Sequence, residues 1–145
     1  MLESLKAATF EVLETMFFIF PENPDEDGTI FQGQVLKAWV PVKGPKNFRV
    51  GLTVPEALAK EMAANFLGLE KDEVKPDNLE DVVKETANMV AGSFLAKERA
   101  PQAFQLGSPE VLRLNLDGNK WMENSHRVIL TVDDLGLEVF LEKTK

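Results

Sequence analysis

The sequence is 145 residues long, 44% hydrophobic and 28% charged, with no cysteine and a single histidine, His126. That length suits one domain, 1–145, with a core of its own, since a chain of this size buries about 68–70% of its unfolded surface. Without cysteine there are no disulfides, thiolate metal sites or cysteine nucleophiles, and zinc binding or serine–histidine catalysis would have to rest on His126 alone.

The formal net charge is −8, from 16 basic and 24 acidic side chains, so nucleic acid could be held only by a local basic patch. The densest candidate, Lys43 to Arg49, is interrupted by Gly44 and Pro45 and reads as a hairpin turn. Met1 to Phe20 has apolar character but carries Glu3, Lys6, Glu11 and Glu14, unlike a signal peptide. No uncharged apolar stretch of about 18 residues exists. The expectation is a cytoplasmic protein with no nucleic-acid or membrane partner.

In chain order, Leu2 to about Phe20 reads as a helix, because Leu2, Leu5, Thr9, Val12, Leu13, Met16 and Phe20 share one face. Pro21 and Pro24 end it. Two strand-like runs follow, Thr29 to Val42 and Asn47 to Val54, joined by the turn Lys43-Gly44-Pro45-Lys46. Neither parity of the first run is wholly polar, which predicts a strand covered on both sides or bulged near Gly33. Thr53, Pro55 and Glu56 predict the start of a second helix with Thr53 as N-cap, ending at Gly68. A third helix is predicted from about Leu79 to Arg99, capped by Asn78 or Asp77 and closed by Pro101. The remainder reads as strands near Ala103 to Leu106, Val111 to Leu116, Ser125 to Val132 and Leu137 to Glu142, with turns at Asp117-Gly118-Asn119 and Asp133 to Gly136. The order is helix, two strands, two helices, then three or four strands (α-β-β-α-α-β-β-β at the lower count); with short turns forcing antiparallel pairing, it predicts an α+β domain with helices packed on one side of an antiparallel sheet. Helix-plus-hairpin occurs twice, a coarse internal echo.

The third helix carries the most informative residues. Asp81, Glu85, Asn88 and Gly92 fall within about 60° of one another at roughly 100° per residue, opposite Leu79, Val83, Ala87, Val90 and Phe94. Ala96 extends this track by a turn. A glycine inside an exposed helix costs about 0.8–1 kcal/mol relative to alanine. Two readings follow: a solvated face with Gly92 packed against another helix of the chain, or a ridge that a partner's surface approaches closely.

The run Glu85-Thr86-Ala87-Asn88-Met89-Val90-Ala91-Gly92 resembles the Glu-x-x-Asn-Met-x-x-Gly signature of the CheC, CheX and FliY family of chemotaxis phosphatases, and is most similar to CheX. Asp81 matches the acidic position leading that signature, and the element order is similar over essentially the whole chain. CheC carries the Glu-x-x-Asn pair twice. Here the first helix offers Glu11-Val12-Leu13-Glu14, without the amide, so the resemblance implies one site per chain. It also implies a homodimer built through sheet edges, and exposed edges need covering.

The resemblance implies a partner, a phosphorylated CheY-like response regulator, whose aspartyl phosphate this chain would hydrolyse. Asn88 would position the attacking water, since an amide donates and accepts hydrogen bonds without losing a proton. Glu85 would dock the receiver's lysine. Asp81, Met89, Gly92 and Ala96 would line the partner-binding face, with Asp81 near the first helical turn, where an acid suits the helix dipole. The chain would need no cofactor or metal of its own, and Mg2+ would sit in the receiver. The alternative is a non-catalytic adaptor that binds a phosphorylated receiver. His126 reads as a surface or edge residue, and Trp39 and Trp121 as core residues or interface markers.

Overall fold

The computed structural model describes residues 1–23, 33–98, 104–116 and 126–144. The elements run α1 (Leu2–Phe17), β1 (Gly33–Lys43), β2 (Phe48–Pro55), α2 (Glu56–Leu67), α3 (Pro76–Lys97), β3 (Gln105–Leu106), β4 (Glu110–Leu116), β5 (Arg127–Val132) and β6 (Leu135–Lys143), with a 3-10 turn at Lys71–Glu73. The α+β order expected from the sequence is present. Trp121 and the turn at Asp117-Gly118-Asn119 lie outside the described residues.

The strands form one antiparallel sheet in the order β3-β1-β2-β6-β5, with β4 also beside β1. Side-chain alternation gives β1 two faces. Leu36, Ala38, Val40 and Val42 join the helices in the core, while Lys37, Trp39 and Pro41 point the other way and are half-buried. Pairing of β2 with β6 joins the β1–β2 and β5–β6 hairpins. The helix α3 lies over β1 and β2, while α1 lies against α3 and reaches β5 and β6. The helix-plus-hairpin echo therefore has a spatial counterpart, each helix resting largely on the other unit's hairpin.

Several element ends differ from the sequence expectation, each for a local reason. Helix α1 stops at Phe17 rather than Phe20: Phe18 turns left-handed (φ 56°, ψ 38°), and the Ile19 N–H closes onto the Leu13 carbonyl at 3.0 Å. Thr53 is not a helix cap. It remains in the β2 ladder between Lys37 and Glu138, fully buried, and extended Pro55 stands at the N-cap of α2. Helix α3 begins at Pro76, ahead of Asp77 and Asn78. Asn78 acts from inside the first turn, its Oδ1 accepting the Lys75 N–H at 2.9 Å. Strand β6 starts at Leu135, because Val132 pairs with Leu135 across a two-residue turn in which Asp133 takes φ 54°.

The sheet face away from the helices carries charge. Lys37 Nζ lies 5.0 Å from the Phe140 ring centroid, and Arg49 stacks on Trp39 and meets Glu142 at 2.5 Å. Gly51 lies beneath Phe140. A Cβ there would collide with that ring and with the Ala38 carbonyl, so Gly51→Ala is expected to lower stability by about 1–3 kcal/mol, read as a lower urea midpoint.

Glu138 is buried on this face at 4% exposure, with Arg127 Nη1 3.9 Å from its Oε2. Burial raises its carboxyl from 4.5 to about 7 against the pull of Arg127 and Lys37. The folded state therefore holds a proton between those values that the unfolded chain has released. Stability is fullest below pH 4.5 as far as this group is concerned, and is lost as pH rises toward 7. The melting temperature is expected to fall between pH 5 and pH 8, by up to about 3 kcal/mol in stability. Glu138→Gln should flatten that slope. An equal slope in the variant would show that another group sets it.

Candidate functional site

Helix α3 places its apolar stripe inward. Leu79, Val82, Val83, Thr86, Ala87, Val90, Ala91, Phe94 and Leu95 are all buried. The complementary stripe carries Asp81, Glu85 and Ala96, which are exposed, and Asn88 and Gly92, which are half-buried. The structure thus brings five of the six candidate residues onto one outward ridge. Met89, the sixth, sits on the flank, half-buried and packed against the core.

Glu85 and Asn88 lie one turn apart, with Cβ atoms about 5–6 Å from each other by helical geometry. Among the described residues neither side chain makes a hydrogen bond or ion pair within the chain, so both polar ends face solvent. Asp81 lies in the second turn, not the first, because the helix starts at Pro76; its carboxylate is 4.0 Å from Lys84 Nζ and 74% exposed. Asp81 therefore caps nothing.

Gly92 bears on the first of the two sequence readings, that it packs against another helix of the chain. A Cβ built there would meet nothing within 4 Å. The space that a side chain would take at Gly92 is open, so a close contact at that point with another described part of the chain does not explain the glycine. What it leaves is a shallow gap on the ridge, one turn beyond Asn88.

The ridge is braced from both sides. On one side α1 contributes Glu11, whose Oε2 meets Lys97 Nζ at 2.6 Å and accepts a hydrogen bond from Ser93 Oγ at 3.3 Å. The bond to Lys97, its charge and the Ser93 hydroxyl together hold the Glu11 carboxyl below its ordinary range. Ser4 Oγ donates to Glu98 at 2.6 Å. On the other side, Arg113 from β4 donates to the Pro76 carbonyl at 3.0 Å and lies 3.7 Å from Glu80. Sequence reasoning missed Ser93, Lys97 and Arg113 as braces, because each acts on a residue distant in sequence. For Lys97 and Ser93 the only available signal was their position on the flank facing α1.

A largely apolar cavity of about 680 Å3 lies elsewhere, between the start of α1, the inner side of the end of α3 and the β1–β2 turn, with Phe48, Phe94, Phe104 and the exposed His126 among its walls. It does not include Glu85, Asn88 or Gly92. An apolar cavity of this kind is a common place for a small ligand, but its lining does not carry the polar groups of the ridge. The ridge is the better candidate because it carries unpaired groups able to act on a reaction. Among the described residues, no group of three or more histidine, aspartate or glutamate side chains could hold a metal ion, and no helix is long and apolar enough to cross a membrane.

Residues 36–133 match the model of the chemotaxis phosphatase CheX family. The chain belongs to the CheX family. No curated protein sequence matches it. Among solved structures, a CheX from Desulfovibrio desulfuricans is 20% identical, with 98% of this chain and 97% of that one covered at a TM-score of 0.72. A CheX from Vibrio vulnificus is 23% identical, covering 97% and 95% at 0.70. The CheX of a CheX–CheY–BeF3–Mg2+ complex from Borrelia burgdorferi is 18% identical, covering 99% and 97% at 0.71. These likenesses show that the fold is that of CheX.

Since nothing touches the position of the missing Cβ, Gly92→Ala is expected to stabilise the protein by about 0.8–1 kcal/mol through helix propensity alone. Thermal or urea denaturation checks this. A destabilised variant would mean that the gap is needed within the fold.

Proposed function

We propose that this chain accelerates hydrolysis of the aspartyl phosphate of a CheY-type response regulator. The observation that carries the reading is the pairing of Glu85 and Asn88, one turn apart and unengaged, on a ridge whose next position has open space at Gly92, in a chain of the CheX family. The solved complex of a CheX with CheY supports the choice of partner.

Phosphoryl transfer through a loose transition state asks for an in-line nucleophile and charge stabilisation rather than covalent help. The Asn88 amide accepts a hydrogen bond from the attacking water and donates one toward the phosphoryl group. Water attacks phosphorus, the bond from phosphorus to the aspartyl oxygen breaks, and the aspartate carboxylate and inorganic phosphate leave. Glu85 pairs with the receiver's lysine and sets the register in which Asn88 enters. The receiver supplies Mg2+, and the gap at Gly92 lets its surface close on the helix.

The two residues predict different kinetic losses. Asn88→Ala should lower the maximal rate of receiver dephosphorylation by about 100-fold, the scale expected when a positioned group is lost, with an unchanged melting temperature. Glu85→Ala should chiefly raise KM. An Asn88→Ala variant with wild-type acceleration would overturn the assignment. Wild-type protein that binds the phosphorylated receiver yet leaves its lifetime unchanged would be an adaptor.

We also read the chain as a homodimer formed through a sheet edge. In the described residues β4 pairs with β1 alone, and Leu112 on it is exposed. Light scattering at micromolar concentration should return twice the chain mass. A monomer would remove this reading.

A further inference from the structure

Five large apolar side chains are exposed where α1 and α2 end: Met16, Phe18, Phe20, Phe66 and Leu67. Phe18 and Phe20 are 70% and 68% exposed, while their neighbours Phe17, Ile19 and Pro21 are buried. The alternation turns both rings outward. Phe18 does so from a left-handed backbone, a conformation that a bulky L residue adopts only at an energetic cost. Glycine or asparagine is the usual residue there. With its ring largely in solvent, Phe18 gains little inside this chain that would offset that cost.

The patch is also held in place. Asn65 Nδ2 donates to the Phe17 carbonyl at 2.8 Å, and the Phe17 and Phe66 rings stand 5.3 Å apart. Just beyond Phe20, Glu22 exchanges backbone hydrogen bonds with Thr131 on β5 at 2.7 and 2.8 Å. The exposed rings are therefore presented from a braced segment.

Its position relative to the ridge follows from contacts and register. Ser4 meets Glu98, and Glu11 meets Ser93 and Lys97, so α1 runs antiparallel to α3. Phe18 lies a further 10 Å or so along α1 at about 1.5 Å per residue, level with the turn that holds Glu85 and Asn88. The sheet register agrees. Thr131 pairs with Gly136, and Pro55 with Val35, at the same end of the sheet, where Arg113 holds the start of α3.

The ridge by itself is a poor docking surface. It offers two carboxylates, an amide, a glycine and an alanine, whereas stable protein interfaces bury about 800 Å2 per partner around aromatic or aliphatic anchors. The exposed patch, at the same level of the α1–α3 pair, has the side chains for such anchors. We propose that Phe18 and Phe20, with Met16, Phe66 and Leu67, form the hydrophobic anchor on which the receiver docks, an apolar surface beside its phosphorylation site packing on the two rings while Glu85 and Asn88 reach the phosphoryl group. The proposal rests on the reading of the ridge as the receiver's site. It separates binding from chemistry: the patch gives affinity and the ridge gives rate.

The test uses the full-length chain with Phe18→Ser and Phe20→Ser combined, and separately Phe18→Gly. Affinity is measured by titrating a receiver locked in its active form with beryllofluoride and Mg2+, and turnover by following receiver dephosphorylation. The double variant should bind at least 10-fold more weakly and raise KM in proportion, with the rate at saturating receiver within about twofold of wild type. Phe18→Gly should weaken binding while raising the melting temperature, a combination that a merely structural role would not give. Unchanged affinity and KM in the double variant would overturn the proposal and leave the phosphatase reading standing. So would loss of self-association with receiver binding intact, which would assign the patch to a second copy of the chain. If wild-type protein binds the receiver without speeding its dephosphorylation, the phosphatase reading fails and the affinity measurement still decides the patch. If wild-type protein does not bind the receiver, both fail.

Discussion

The burial of one side of α3 against β1 and β2 governs the rest of the molecule. Nine residues between Leu79 and Leu95 face inward, and a fully buried valine, leucine or phenylalanine contributes roughly 1.5–3 kcal/mol. Rotating the helix by a single residue would expose several of them. The core therefore fixes the angle at which Asp81, Glu85, Asn88, Gly92 and Ala96 point outward. A side chain that must enter a partner's pocket gains from such a support, because the helix does not have to be ordered at the moment of encounter.

The second constraint is lateral. Arg113 ties the start of α3 to β4, and Glu11 with Ser4 ties its end to α1. These surface contacts are individually weak, and the core supplies most of the energy. The contacts of Ser4 and Glu11 show that α1 runs antiparallel to α3, which brings the Phe18 end of α1 level with Glu85 and Asn88. The opposite face of the sheet has a separate character. Gly51 under Phe140 and the buried Glu138 shape it, and they lie across the sheet from the helical layer that carries the ridge.

Much of this was legible in the sequence. Apolar periodicity located the three helices and the hydrophobic side of α3, and turn chemistry located the hairpins. The motif from Glu85 to Gly92 marked the ridge. What the sequence did not show depends on tertiary contact. Thr53 has the residue type of a cap but is held in the ladder by β1 and β6. Met16 and Phe20 belong by periodicity to the shared apolar face of the first helix, yet the helix ends at Phe17 with a closure onto Leu13, and both are exposed. The open space at Gly92 depends on what the rest of the chain leaves uncovered, which no local pattern encodes. The braces Ser93, Lys97 and Arg113 have no local signature, because their partners lie on other elements.

We read this chain as one that shortens the life of a receiver's aspartyl phosphate. The most direct measurement mixes a phosphorylated CheY-type receiver with catalytic amounts of the wild-type protein in Mg2+ and follows loss of the acyl phosphate against the receiver alone. Faster decay is expected, in proportion to the protein added, with release of inorganic phosphate. A lifetime that stays unchanged, or lengthens, while the two proteins demonstrably bind would contradict this reading.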